Sequence, residues 1–147
     1  MKPQFLVLVV DDDILLTDIL NRASRSSFPE ATFIQVHSST EAKKYIEDLD
    51  GYGPKLVLLD INLQDKVSGL DFLAFLRAYS QTRFLPVVML TASQLPQDIE
   101  TAYTFGASSF TVKPFSYEDW RVYLSNLRLY WFETVTLPAI RFHRASN

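Results

Sequence analysis

Five short apolar runs, at residues 4–10, 31–37, 55–60, 85–90 and 108–112, recur between longer segments in which apolar residues return every three to four positions. That alternation leaves few folds open. The first, third and fourth runs are almost continuously hydrophobic. This suits parallel strands covered by helices on both faces, whereas a half-exposed sheet would impose polar residues at every second position. The fifth run is weaker and ends in Phe110-Thr111-Val112.

The intervening segments carry helix caps as well as periodicity. Ser38-Ser39-Thr40-Glu41 and Ser116-Tyr117-Glu118-Asp119 each set a hydroxyl three residues before an acid, the pattern that opens a helix. Ala42, Tyr45, Ile46 and Leu49 then form one stripe, Phe72, Phe75, Leu76 and Tyr79 a second, and Trp120, Tyr123, Leu124 and Leu127 a third. A first helix is expected from an Asp13 cap to near Arg25, stopped by Ser26-Ser27-Phe28-Pro29. A fourth is expected from Pro96 to Gly106. The pattern is (βα)5, an α/β fold with right-handed crossovers and a doubly wound, five-stranded parallel sheet. Sites in such sheets lie in the crevice at the strand C-termini.

Composition narrows the functional classes. With 147 residues and 48% hydrophobic content, one domain with a short surplus is expected, without room for a separate effector domain. Fourteen Lys and Arg against 17 Asp and Glu, a net charge of −3, argue against a nucleic-acid surface and point to protein partners. The chain has no cysteine, which excludes disulfides and thiolate metal sites. Met1-Lys2-Pro3 leads into Gln4–Val10, an apolar stretch cut off by acids well short of a signal or membrane span, so a cytoplasmic location is expected.

At the ends of the expected strands stand Asp11, Asp12 and Asp13 after the first, Asp60 after the third, Thr91 after the fourth and Lys113-Pro114 after the fifth. Clustered carboxylates repel unless a cation sits among them, and Mg²⁺ is the hard cation best suited to oxygen ligands in a tight cleft. A carboxylate can attack a phosphoryl donor once a metal and a fixed ammonium screen the repulsion between the two anions. Lys113 supplies the ammonium and Thr91 a hydroxyl donor. Asp13 is the least specific of the acids, because a helix begins there and Asp is a favoured cap. His37 and His143 lack partners at ligand spacing, so surface or packing roles are expected of both.

Taken together, Asp11-Asp12, Asp60, Thr91-Ala92 and Lys113-Pro114-Phe115 resemble the receiver domain of two-component response regulators, over roughly residues 4 to 131. The resemblance implies a flavodoxin-like topology, with a receiver at 1–132 and an extension at 133–147. It makes Asp60 the phosphoacceptor, with Asp11, Asp12, Asp60 and the backbone carbonyl of Asn62 serving Mg²⁺. Thr91, Ala92 and Lys113 would hold the phosphoryl group, Thr91 and Phe110 would form the switch, and Asn62 and Ser93 would tune dephosphorylation. Many relatives have Tyr at the Phe110 position. A phenyl ring offers no hydroxyl, so readout here would rest on burial. The Lys113–Pro114 bond is expected to be cis. Gln64 stands where the family commonly has proline, and the loop to Gly69 is one residue longer than usual. A sensor histidine kinase is the implied phosphodonor, and a phosphotransfer or other downstream protein the recipient of the signal. The reactive chemistry would be self-directed rather than enzymatic.

Two rival functions compete with the receiver. Asp11-x-Asp13 after an apolar strand also fits a haloacid-dehalogenase-like phosphatase with Asp11 as nucleophile. That reading fails at Leu15, where Thr or Val is expected, and lacks a later metal-binding acid pair. A module that keeps the fold without switching is the other.

Helix five and its exit hold both tryptophans, Trp120 and Trp131. At 100° per residue, Val122 and Leu129 lie opposite Trp120 and Phe132 falls off the core stripe, leaving a second apolar face to be covered. A second subunit, the chain's own tail or a kinase could cover it. The stretch Tyr130–Pro138 resembles the C-terminal extension of single-domain regulators that serve bacterial phytochromes, which implies a homodimer through Val122, Leu129, Trp131, Phe132, Val135 and Leu137.

Overall fold

A computed structural model describes residues 4–144. The outer ends of the two expected segments, 1–132 and 133–147, lie outside the described residues. Five parallel strands, β1 (Phe5–Val10), β2 (Ala31–Val36), β3 (Leu56–Leu59), β4 (Val87–Thr91) and β5 (Ser109–Val112), form one sheet in the order β2-β1-β3-β4-β5. The helices between and after them are α1 (Leu16–Ser27), α2 (Ser39–Glu47), α3 (Gly69–Ala78), α4 (Pro96–Thr104) and α5 (Tyr117–Leu127). The expected (βα)5 architecture is the observed one.

Strand alternation divides the core into two layers. Phe5, Val7, Val9, Leu56, Leu58, Val88 and Leu90 face α1 and α5. Leu8, Val10, Val57, Leu59, Val87 and Met89 face α2, α3 and α4. Because both faces are covered, the strands read as unbroken apolar runs. Strand order reverses between β1 and β3, so the loops after these two strands diverge to opposite faces and open a crevice at their C-terminal ends.

The caps behave as their chemistry dictates. The Ser38 hydroxyl accepts the Glu41 N–H at 3.0 Å and Ser116 accepts that of Asp119 at 3.0 Å, while Pro96 occupies the first turn of α4. α3 opens with a reciprocal box between Ser68 and Asp71 that the sequence reading did not identify. The expected Asp13 cap needs correction. α1 starts at Leu16 behind Leu15, and the Asp13 carboxylate accepts the Leu15 N–H at 3.0 Å, so it caps the turn that precedes the helix.

Beyond α5 the helix widens into a π-helical stretch, Arg128–Thr134. This alters the expected surface. The extra residue in each turn rotates Phe132 inward, against Phe5 and Phe28 at 5.8 and 6.0 Å between centroids, whereas a 100° projection leaves it outside. Trp131 and Leu137 also pack on the core, while Val122 and Leu129 remain 53% and 58% exposed. Arg128 braces the turn through Glu30 at 2.6 Å and Glu133 at 2.8 Å.

From Val135 the tail runs beneath the sheet rather than along α5. Phe142 is buried and pairs its backbone with Gly51 in an antiparallel bridge, and His143 exchanges hydrogen bonds with Gln81. Gln81 and Gly51 precede β4 and β3, so the strap lies at the end of the sheet away from the crevice. Among the described residues, no helix is long and apolar enough to cross a membrane.

Candidate functional site

Asp11 follows β1 and Asp60 follows β3, the two strands flanking the switch point, so both carboxylates enter the crevice from adjacent loops. They are 1% and 5% exposed. Asp12 stands beside them, half-buried, and one oxygen from each of the three lies within 4.8 Å of the others. Lys113, delivered by the end of β5, sets its Nζ 2.8 Å from Asp11 Oδ2 and 3.0 Å from Asp60 Oδ2. Residues 102 positions apart thus meet at one point because parallel strands carry all their C-termini to the same edge.

Electrostatics follows from burial. Desolvation pushes the Asp11 carboxyl above the ordinary carboxylate range, and the nearby Asp60 charge adds to this. Lys113 and the Asp13 N–H, at 2.9 Å, pull it back without cancelling the rise. For Lys113 burial alone would depress the ammonium, but two carboxylates together outweigh it and hold the group above its usual value.

Asp11 Oδ2 is the unsatisfied atom of the site. It is ion-paired with Nζ at 2.8 Å, but among the described residues no hydrogen bond of good geometry reaches it. A buried carboxylate oxygen in that condition is costly. Three carboxylates against one ammonium also leave two negative charges, which a divalent cation matches in charge and in its taste for oxygen.

Several residues hold this arrangement. The Gln35 amide on β2 donates to the carbonyls of Asp11 and Asp13 at 2.7 and 2.8 Å, fixing the acidic loop, while its oxygen accepts the Thr17 hydroxyl. Gln64 N–H donates to Asp12 Oδ2 at 3.0 Å, and Asn62 N–H to Asp60 Oδ1 at 3.3 Å. Gly69 lets α3 press on the backbone of Asp60, since a Cβ there would lie 1.9 Å from the Asp60 carbonyl oxygen. Glycine is a close-approach residue at this position.

The fourth strand end places Thr91 fully buried, its Oγ1 accepting the Ser93 N–H at 3.3 Å, with Ala92 exposed beside it. Ser93 Oγ is turned to Asp98 at 2.6 Å, into the first turn of α4. Phe110 is half-buried against the α2–α4 layer, and its N–H donates to the Tyr103 hydroxyl at 3.1 Å. Sequence reading missed Tyr103, Gln35 and Gly69, since each acts through a contact that only the folded chain creates. The Lys113–Pro114 bond is trans, against the expected cis form, there being no cis peptide among the described residues. Proline leaves the two isomers close in energy, so residue type alone does not select one. Asp13 is exposed, with its carboxylate engaged by the Leu15 N–H of its own turn.

The response regulator receiver domain model matches residues 7–124, which includes every strand-end residue just described. The chain belongs to the response regulator receiver family. Among curated relatives, this receiver is 26% identical to the response regulator Rcp1 of Synechocystis over 142 residues, spanning 94% of this chain and 96% of that one. It is 29% identical over 130 residues to the probable methanogenesis regulatory protein FilR2 of Methanothrix harundinacea, spanning 86% and 83%. Among solved structures, the response regulator RPA3017 in red light signalling of R. palustris superposes with a TM-score of 0.82 at 26% identity, covering 92% of this chain and 99% of that one. The Mn²⁺-bound form of Rcp1 superposes at 0.80 with 25% identity and the same coverage. The phosphorylated cyanobacterial phytochrome regulator RcpA, at 0.83 and 24% identity, shares the fold. As a receiver, the protein is a phosphoacceptor signalling domain that works with a sensor histidine kinase, and its acidic pocket suits a divalent metal.

Proposed function

We propose that this receiver takes a phosphoryl group onto Asp60 from the phosphohistidine of a sensor kinase of the phytochrome type, with Mg²⁺ held by Asp11, Asp12, Asp60 and the Asn62 carbonyl. The observation that carries the reading is the single ammonium of Lys113 bridging Asp11 and Asp60 beside Asp12. An oxygen of Asp60 attacks phosphorus, the P–N bond to the imidazole breaks, and the nitrogen lone pair returns to the leaving ring. Mg²⁺ held by these residues would neutralise charge on the phosphoryl oxygens. Lys113 binds one of those oxygens as it releases Asp60, and the Thr91 hydroxyl, now accepting from Ser93, turns to donate to another. Ala92 contributes its backbone N–H and leaves the pocket open.

The added charge biases a two-state surface. Movement of Thr91 opens space beside Phe110, whose half-buried ring follows it inward, and Asn62 and Ser93 set how readily water reaches the acyl phosphate. The phytochrome link is supported by likeness to RPA3017, a regulator in red light signalling, and to the bacteriophytochrome response regulator AtBRR, which superposes with a TM-score of 0.67 at 28% identity. A homodimer through α5 would use Val122 and Leu129, the exposed members of the expected patch, with Val135 at its edge. Trp131, Phe132 and Leu137 serve it from behind by fixing the π-helical turn.

Intact-mass measurement after treatment with acetyl phosphate and Mg²⁺ tests this. The wild-type chain is expected to gain one phosphoryl group and Asp60→Asn none. Labelling of Asp11, or equal labelling of both proteins, would overturn the assignment.

A further inference from the structure

The loop between Asp60 and α3 does more than connect them. Gln64 N–H reaches across to Asp12 Oδ2 at 3.0 Å, 52 residues away in sequence. The next residue, Asp65, is anchored on the other side: its Oδ2 accepts from the Thr40 N–H at 3.3 Å and the Thr40 hydroxyl at 3.1 Å, in the first turn of α2. Ser39 Oγ donates to the Ser68 carbonyl at 3.0 Å, a second tie between the same loop and α2. These contacts hold Asp65 below the ordinary carboxylate range, the Thr40 N–H being the main cause. The loop is therefore stretched between α2 and the acidic pocket, with Gln64 N–H aimed at one carboxylate of the cluster.

We infer that Gln64, through its backbone N–H, is a positioning residue for Asp12, held in register by the Asp65–Thr40 tie. The inference rests on the metal-site reading above and adds a residue outside the ligand set. Outer-shell donors orient carboxylates before the cation arrives, so less ordering remains to be done on binding. The identity of the residue matters for an elementary reason. Proline, common at this place in the family, has no N–H and could not make the contact. Any other residue could, so the device depends on the backbone and not on the glutamine side chain, which is exposed.

Mn²⁺ titration followed by the loss of the free-ion electron paramagnetic resonance signal reads this directly. Gln64→Pro is expected to weaken Mn²⁺ binding about fivefold, below the roughly 10–100-fold of buried outer-shell partners because this contact is exposed to solvent. Gln64→Ala, which keeps the N–H, should bind within about twofold of wild type, and Asp65→Ala should fall between the two. In an Asp12→Ala background the proline substitution should lose its effect, since the donor no longer has its acceptor. Equal weakening by proline and alanine would overturn the inference, as would a proline effect that persists without Asp12. Metal-free melting curves of all variants establish that each is folded; a proline variant that fails to fold leaves Asp65→Ala, whose wild-type affinity would itself overturn the proposal. Failure of the wild-type chain to bind Mn²⁺ would instead sink the underlying metal-site reading, with the loop still tied to Asp12.

Discussion

Replacing Lys113 by methionine removes an ammonium shared by two buried carboxylates, and its consequences can be worked from the geometry. Met keeps the length and apolar stem of the side chain, so packing changes little. What is lost is the ammonium at 2.8 and 3.0 Å from Asp11 and Asp60. Breaking a buried ion pair by removing one partner costs about 3–5 kcal/mol, and the lower end applies here because Lys113 is 23% exposed and water can reach the cleft. In a chain of this size, 3 kcal/mol corresponds to a Tm about 6–12 °C lower at pH 7.5 without divalent metal.

The pH dependence has a definite sign. The folded Asp11 carboxyl lies above its ordinary value of 3.8, so the folded state holds that proton more tightly than the unfolded chain. Its contribution to stability is fully present below about 3.8 and is lost as pH rises through the raised folded value. Without Lys113 that rise is larger, so the deficit of Lys113→Met should shrink as pH falls through the raised Asp11 range toward 3.8. Lys113 itself is held above its ordinary value of 10.5, so the stability that it gives wild type is present below that pH and is lost at higher pH. Saturating Mg²⁺, at about 100 times the Kd of each protein, adds about 2.7 kcal/mol to both and should bring the metal-bound variant close to metal-free wild type. Asp60→Asn removes a like charge instead and should raise the metal-free Tm. Calorimetry or circular-dichroism melts at two pH values, with EDTA or Mg²⁺, give all four comparisons. A variant melting within about 2 °C of wild type at pH 7.5, or a deficit that stays unchanged as pH falls toward 3.8, would refute the charge argument.

Two further outcomes probe the scaffold. Gly69→Ala puts a methyl group 1.9 Å from the Asp60 carbonyl oxygen, which forces α3 and the β3 end apart. A loss of about 1–3 kcal/mol is expected, together with slower phosphoryl uptake from acetyl phosphate; unchanged uptake would show that α3 does not set the position of Asp60. Phe142→Ala empties a fully buried slot above Gly53 and should cost about 3–5 kcal/mol while exposing the tail to trypsin at Arg141. Cleavage no faster than in wild type would mean that Phe142 does not hold the strap.

The α/β alternation and the strand-end acids were legible in the chain because both are local. A parallel strand buried on two faces must be apolar throughout, and a site at strand C-termini must take its residues from the next one or two positions, so Asp11, Asp60, Thr91 and Lys113 could be found by reading five short runs. The caps at Ser38 and Ser116 are local for the same reason. What the sequence alone left open depends on long-range contact. Phe132 is turned inward by a π-helical widening that a fixed 100° rotation does not contain, and the tail is drawn beneath the sheet by the slot that Phe142 fills. Gln64 stands out in the sequence only as a departure from the family's proline, and its contact with Asp12, like that of Asp65 with Thr40, exists only once folding brings those residues to either side of the loop. Periodicity and motif spacing determined which side chains reach the crevice, because backbone geometry repeats along the chain. Only the tertiary structure decided how those side chains are held, because hydrogen bonds and packing between distant segments have no period to read.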